Sequence, residues 1–443
     1  MTDDVQVADT RVNRQSALPV SPEQRIPSVD VLRGVALLGI LVINIEFFAL
    51  PSVIFFDPAA AGGFTGLNLW TYHFSSALFL MKMMAIFSML FGAGLILMYD
   101  RAEQAVRKLG GVYYRRVLWL LVIALIHSYL IWYGDILYTY AMTGLLLFLF
   151  RKRKARTLLI WGCAFFFVGL LIQVGSGFQM KMLQEAAVEV QRAEAEGREP
   201  TRLQIAMAEA WEESAKFLHP SEEMLQEEYD AYTDGYSGTL KHRVHETVLM
   251  QTQSFFFFLL WRVCGLMLIG MALMRLGVFS AQRSRKFYII MGVCGYVIGL
   301  PLAIASTNSM IAHDFEIAHR FMVGNTLNYV GSIGVALGHI SVVMLICKAG
   351  IWTRLRGALA AVGRMALTNY LMQSIICTTI FYGYGFGLFG KIERFYLLGF
   401  VLGVWILQLL YSPWWLRRFR YGPAEWLWRS LTYWKRQPMR LMG

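Results

Sequence analysis

Residues 117–154 read VLWLLVIALIHSYLIWYGDILYTYAMTGLLLFLFRKRK. Two apolar runs, Val117–Trp132 and Ile136–Phe150, are joined only by Tyr133-Gly134-Asp135, and the second ends on Arg151-Lys152-Arg153-Lys154. Each run is short of the roughly 20 apolar residues that a membrane span needs. The pair therefore predicts a tight helical hairpin, or tilted segments, with its basic exit at one membrane face. Outward from this hairpin, similar runs recur at Val31–Leu50, Ser75–Met98, Leu158–Val174, Phe255–Leu276, Phe287–Ala305, Leu327–Cys347, Leu359–Tyr382 and Phe395–Tyr411. The reading is an all-α polytopic membrane protein of about ten transmembrane helices.

Composition agrees. The 443 residues are 57% hydrophobic and 16% charged, against about 25% charged in soluble domains, and the mean hydropathy is +0.48. These values exclude a soluble enzyme, a secreted disulfide scaffold and a disordered protein. The net charge of +12 is explained by basic residues bordering spans rather than by nucleic-acid binding.

The charges also give an orientation. Arg11, Arg14 and Arg25 precede the first run, and Arg101, Arg107, Lys108, Arg115 and Arg116 follow the second. Arg283, Arg285 and Lys286 follow the sixth, Lys348, Arg354 and Arg356 the eighth, and Arg417, Arg418, Arg420, Lys435 and Arg436 the tenth. Every even-numbered exit is basic, which predicts both termini in the cytoplasm. Residues 178–253 are different, with 15 acidic and 7 basic residues. They follow the fifth run and so form an acidic extracytoplasmic insertion. Its Ala, Glu, Gln, Leu and Met favour helix, broken at Gly197-Arg198-Glu199-Pro200 and at His219-Pro220.

The predicted organisation is a disordered cytoplasmic tail (1–27), an N-terminal bundle (28–177), the helical cap (178–253), a C-terminal bundle (254–412) and a basic, aromatic interfacial tail (413–443). The N-terminal residues lack the apolar core of a signal peptide. All five cysteines lie in apolar runs with no CxxC pair, which predicts buried apolar residues and no disulfide framework. No P-loop, Rossmann fingerprint, HExxH or GxSxG pattern occurs. His242 and His245 lack carboxylate or cysteine partners at ligand spacing, so no metal site is read.

Ionisable groups inside spans are functional candidates by default. Asn44 and Glu46 fall in the outer half of the first run, Lys82 near the middle of the second, His127 in the outer half of the third and Asp135 at the hairpin tip. Arg262 lies in the outer part of the sixth, and Asn369, Gln373 and Ser374 lie at or beyond mid-depth in the ninth. Each also has a structural reading. Asp135 can cap the helix starting at Ile136, Lys82 can pair with Glu46 or Asp135, and Asn369 and Gln373 can join helices. His339 reads as structural, and Gly92 and Gly94 as points of close helix approach.

Four segments are familiar together: Asp30-Val31-Leu32-Arg33-Gly34 running on to Asn44; Leu125-Ile126-His127-Ser128 with Trp132-Tyr133-Gly134-Asp135; Gly363-Arg364-Met365-Ala366-Leu367-Thr368-Asn369-Tyr370 through Gln373-Ser374; and Tyr421-Gly422-Pro423-Ala424-Glu425-Trp426. In this order they resemble the YeiB-like family of bacterial inner-membrane proteins, which ends in a domain of unknown function. That family looks like a branch of a larger membrane acyltransferase group. The resemblance implies transfer of an acyl group from cytoplasmic acyl-CoA to an envelope glycan, lipid or small metabolite, with no bound cofactor. In the related O-acyltransferases an arginine is followed, after ten residues, by a histidine in the first span. Here Arg33 keeps that spacing to Asn44, and the histidine is replaced.

Acyl transfer needs a base and donors for the developing oxyanion. His127 with Asp135 is the candidate acid–base pair. Asn44, Glu46, Lys82, Arg262, Asn369 and Gln373 are candidate substrate contacts, and Arg33 and Arg364 candidate ligands of CoA phosphates. Two other functions fit the same sequence: a transporter using Lys82, Glu46 and Asp135 as coupling groups, and a non-catalytic lipid-binding protein.

Overall fold

A computed structural model describes residues 25–441 apart from 107 and 219. Most of the sequence-predicted N-terminal tail lies outside the described residues. Among these residues the chain is all-helical, with one isolated backbone bridge between Phe419 and Arg440. The physical reason is that lipid offers no partners to a free peptide group, so each apolar run satisfies its backbone within a helix.

The first bundle holds α1 (Pro27–Ala49), α2 (Gly66–Leu78), α3 (Lys82–Gln104), α4 (Gly110–Leu130) and α5 (Leu137–Leu147). Proline at the first turn starts α1, where its missing N–H costs nothing. Between α2 and α3 the chain breaks at Met81, whose φ is 67°. Helix α6 (Ala155–Ala195) runs 41 residues without interruption. Then come α7 (Arg202–Leu218), α8 (Glu222–Thr233) and α9 (Gly235–Leu249). A π-helical stretch, Met250–Leu259, carries α9 into α10 (Leu260–Arg275). The second bundle continues with α11 (Arg285–Ala312), the short α12 (Ile317–His319), α13 (Asn325–Ala349), α14 (Thr353–Arg364), α15 (Ala366–Phe381) and α16 (Arg394–Leu416). Helix α17 (Pro423–Tyr433) ends the fold.

Among the described residues, eight helices are long and apolar enough to cross a membrane. The fourth and ninth apolar runs of the sequence differ: the fourth is the short apolar helix Leu137–Phe150, and the ninth is split at Met365 into α14 and α15. The expected cap boundaries also differ. Residues 177 and 178 lie within α6, and 253 and 254 within the continuous α9–α10 helix. The cap therefore grows out of two membrane helices rather than hanging from loops. The cysteine expectation holds for Cys264 and Cys377, which are buried, whereas Cys163 and Cys294 lie on the exposed apolar surface. A thiol tolerates that surface because it is a weakly polar, small group.

Close helix approach sets the seam between α1 and α14. A methyl group at Gly34 would collide with the Leu359 carbonyl, and one at Gly363 with the Asp30 carbonyl. Only glycine at both places lets α1 and α14 pack backbone to backbone, which puts Arg33 and Arg364 side by side. Gly92 meets the Met267 carbonyl in the same way, but Gly94 has open space over its Cα and lines a cavity.

Candidate functional site

Helix α4 ends at Leu130 and the chain turns back through Trp132, Tyr133 and Gly134. The Trp132 indole stacks on Phe48 with ring centroids 4.0 Å apart and lies so close over Gly134 that a side chain there would strike it. This turn folds Asp135 back under the end of α4. Asp135 Oδ2 accepts the Tyr138 amide at 2.8 Å and so caps the start of α5. Its Oδ1 lies 2.9 Å from His127 Nδ1. The other ring nitrogen, Nε2, lies 2.9 Å from Ser374 Oγ on α15. His127, Asp135 and Ser374 are all buried.

A carboxylate only accepts, so Nδ1 carries the proton, and Nε2 accepts from the Ser374 hydroxyl. The three groups stand in the order nucleophile, base and orienting carboxylate that activates a hydroxyl for acyl chemistry. Tyr370, one turn before Ser374, donates its hydroxyl to Asp135 Oδ1 at 3.4 Å and accepts from the Ile136 amide at 3.3 Å.

A cavity of about 280 Å³ approaches this group from one end of the bundle. Its closed end is walled by Ile136, Leu137, Tyr140 and Tyr370, and its mouth by Arg25, Arg33, Arg101, Arg116, Arg364 and Arg429. Tyr370 and Ile136 join the two features: both line the cavity, and both touch or flank Asp135. The wall between is apolar, with Leu37, Phe87, Leu90, Phe91 and Leu120. Helix α17 forms part of the mouth. Trp428 donates its indole N–H to the Arg116 carbonyl at 2.8 Å, and the Arg116 guanidinium lies 3.7 Å over its ring. Glu425 accepts the Leu367 and Thr368 amides and the Thr368 hydroxyl at 2.6, 3.1 and 2.6 Å, capping α15. Burial pushes its carboxyl up from the ordinary range, against the pull of those donors. The expected interfacial tail thus includes a docked helix that orients the one carrying Ser374.

The helix that rises into the cap ties down the end of α4 just beyond His127. Thr247 donates to the Ser128 carbonyl at 3.1 Å, Gln251 to the Ser128 hydroxyl at 3.0 Å, and Arg243 to the Leu130 carbonyl at 2.6 Å. The bonds from Thr247 and Arg243 satisfy carbonyls that the end of α4 leaves free.

The other sequence candidates divide. Arg33 lines the cavity, held by Asp30 at 2.9 Å and the Gly363 carbonyl at 3.3 Å. Arg364 also lines it, and its Nε is buried with no hydrogen-bond partner among the described residues. Asn44 is half-buried on α1 and outside the lining. Glu46 pairs with Arg394 at 2.9 Å, and Arg394 also binds the carbonyls of Pro58, Ala61 and Gly63. Lys82 does not pair with Glu46 or Asp135. It follows the break at Met81 and turns to the Ser76 carbonyl and Asn328 Oδ1. Arg262 binds the Tyr329 carbonyl at 3.2 Å and Ser332 at 2.7 Å. Asn369 binds the Val362 carbonyl and Ser412, and Gln373 binds Gln408 at 3.0 Å. His339 joins Tyr296 to the Leu78 carbonyl.

Reading from sequence omitted Ser374 from the candidate site, along with Tyr370 and four of the mouth arginines. The available signal was Ser374's place in the same motif as Arg364 and Tyr370.

Comparison with known proteins gives names but no activity. The family described as "Protein of unknown function (DUF418)" matches residues 273–435. The chain is 32% identical over 416 residues to "Uncharacterized protein YeiB" of Escherichia coli (strain K12), covering 92% of this chain and 96% of that protein. It is 30% identical over 447 residues to "Uncharacterized protein YxaH" of Bacillus subtilis (strain 168), covering 96% and 98%. No solved structure matches it.

Proposed function

The chain belongs to the YeiB-like family of bacterial membrane proteins, and from that premise we propose that it is a membrane acyltransferase. An acyl thioester such as acyl-CoA enters at the arginine mouth, and the acyl group passes to a hydroxyl or amine on an envelope glycan, lipid or small metabolite. The observation that carries this reading is the hydrogen-bonded His127–Asp135 pair, buried behind the Ile136 and Tyr370 wall of an arginine-rimmed cavity.

The parts divide the work by chemistry. Guanidinium groups at the mouth suit phosphate oxygens, which they bind with charge-assisted, often paired hydrogen bonds. The apolar wall suits an acyl chain or a pantetheine arm. The cavity volume of about 280 Å³ is near the lower limit of ligand pockets, about 300 Å³. It holds the reactive arm while the charged nucleotide stays among the arginines. His127 Nε2 takes the proton of the attacking hydroxyl, and Asp135 holds the ring in the required tautomer and balances the imidazolium. The basic mouth faces the cytoplasm by the positive-inside rule. Both termini are then cytoplasmic, the protein lies in the inner membrane, and the acidic cap is outside.

The test compares envelope lipids and glycans by mass spectrometry in a deletion strain, in the same strain complemented with wild type, and in one complemented with stably expressed His127→Ala. The expected result is an acyl mark restored by wild type alone. Full restoration by His127→Ala overturns the assignment.

A further inference from the structure

We propose that Ser374 is the nucleophile that carries the acyl group, so that transfer proceeds through an acyl-Ser374 ester rather than directly from thioester to acceptor. This rests on the acyltransferase reading above.

Three observations lead here. First, the base is already engaged. Nδ1 faces Asp135 and Nε2 holds the Ser374 hydroxyl at 2.9 Å, so a foreign hydroxyl meets no free nitrogen on the ring. The hydroxyl that His127 can activate without rearrangement is that of Ser374. Second, the site has one described approach. The cavity comes from the arginine end as far as the wall that holds Tyr370, four residues before Ser374 on the same helix face. On the cap side, Thr247 and Gln251 are bonded to Ser128, the neighbour of His127. A donor and an acceptor that share one approach meet the site in turn, and a covalent carrier bridges the two visits. Third, Ser374 is held for attack. Its helix is capped by Glu425 and locked by Gln373–Gln408 and by Asn369 with Ser412, which fixes the hydroxyl against the ring.

The chemistry balances without an oxidant or metal. As Ser374 Oγ attacks the thioester carbonyl, its proton passes to His127 Nε2. The new C–O bond forms, the C–S bond breaks, and the departing thiolate takes the proton from the imidazolium to leave as a free thiol. The acceptor hydroxyl or amine then gives its proton to Nε2 and attacks the Ser374 ester. The acyl group moves to the acceptor, and the released Ser374 Oγ recovers the proton.

The experiment uses the full-length protein in lipid nanodiscs with acetyl-CoA and, separately, palmitoyl-CoA, and no acceptor. Acid quench, proteolysis and mass spectrometry read the label, and thiol release reads donor turnover. The expected result is one acyl group on the peptide containing Ser374, with no label in His127→Ala. Ser374→Ala should lose label and at least about 100-fold of thiol release. Ser374→Cys keeps a nucleophile in place, so it should retain a label that neutral hydroxylamine removes as a thioester. The wild-type label stands whether or not a variant folds. Folded wild type that takes no label on Ser374 from either donor, while His127→Ala still abolishes the envelope acyl mark, would mean direct transfer; it overturns the serine carrier and leaves the acyltransferase reading intact. Absence of label together with full restoration of the envelope mark by His127→Ala overturns both.

Discussion

His127 and Lys82 are equally hidden, with 1% and 0% of their surfaces exposed, yet their neighbourhoods differ in kind. Lys82 ends on a backbone carbonyl and an asparagine oxygen, and Arg262 on a carbonyl and a serine. Every partner is neutral and belongs to the packed interior of the bundle, and neither cation lines the cavity. His127 instead stands between a carboxylate and a hydroxyl, one side chain from a cavity with a charged mouth. Burial of an ionisable group in the membrane raises the question of function. The partners and the access answer it. A cation with neutral acceptors and no opening ties helices together, whereas a base between an acid and a nucleophile beside an opening has a proton to move.

The widest gap between the regions should appear with His127→Ala. Acyl transfer should fall about 10²–10⁴-fold while the melting curve in detergent stays near wild type. A large melting shift with activity retained would place His127 with the helix ties. Lys82→Met should give the opposite pattern, turnover within about twofold of wild type and stability lower by about 1–3 kcal/mol, because Asn328 and the Ser76 carbonyl lose their donor. Loss of turnover in a normally melting Lys82→Met would collapse the comparison.

Arg364→Ala sharpens it at the mouth. It lines the cavity mouth, so its loss should raise KM for acyl-CoA about tenfold, the effect of one charge-assisted contact, with kcat nearly unchanged. An unchanged KM would remove the mouth from donor binding. Glu228 in the cap gives the smallest effect. Burial pushes its carboxyl from 4.5 up to about 7, against hydrogen bonds from Ser52. The folded state then holds the proton more tightly than the unfolded one. The contribution of Glu228 to cap stability is therefore greatest at low pH and is lost progressively as pH rises from about 4.5 through about 7. The protection factors of α8 amides should fall through this window in wild type and fall less steeply in Glu228→Gln, where Glu246, raised by burial, and His242, lowered by it, still titrate. A wild-type slope in the variant would show that another group sets it.

The same contrast explains which parts were legible in the sequence. Apolar runs and basic exits report the solvent that each segment meets, so the helices and the basic end could be read. His127 and Asp135 were legible because one hairpin joins them, eight positions apart. Ser374 is 247 positions from His127, and its partnership depends on α15 returning to α4, which no local pattern encodes. Lys82 was assigned acidic partners because its depth is visible in sequence, whereas its direction is decided by the left-handed residue before it. Arg25, Arg101 and Arg116 at the mouth read as topology signals because a positive-inside charge and a cavity-lining cation are the same residue type in the same place.

Helix α6 carries a consequence of its own. Its 41 residues extend about 60 Å at 1.5 Å per residue, roughly twice the hydrocarbon thickness. The second half is a rigid mast, and the α6–α7 turn at its tip stands at a set height over the lipid. Removing seven residues would lower that tip by about 10 Å and rotate it by only about 20°. Removing four would lower it less and swing it by about 40°. Height and bearing can thus be varied separately, which makes α6 a built-in gauge of how far from the bilayer the cap meets its surroundings.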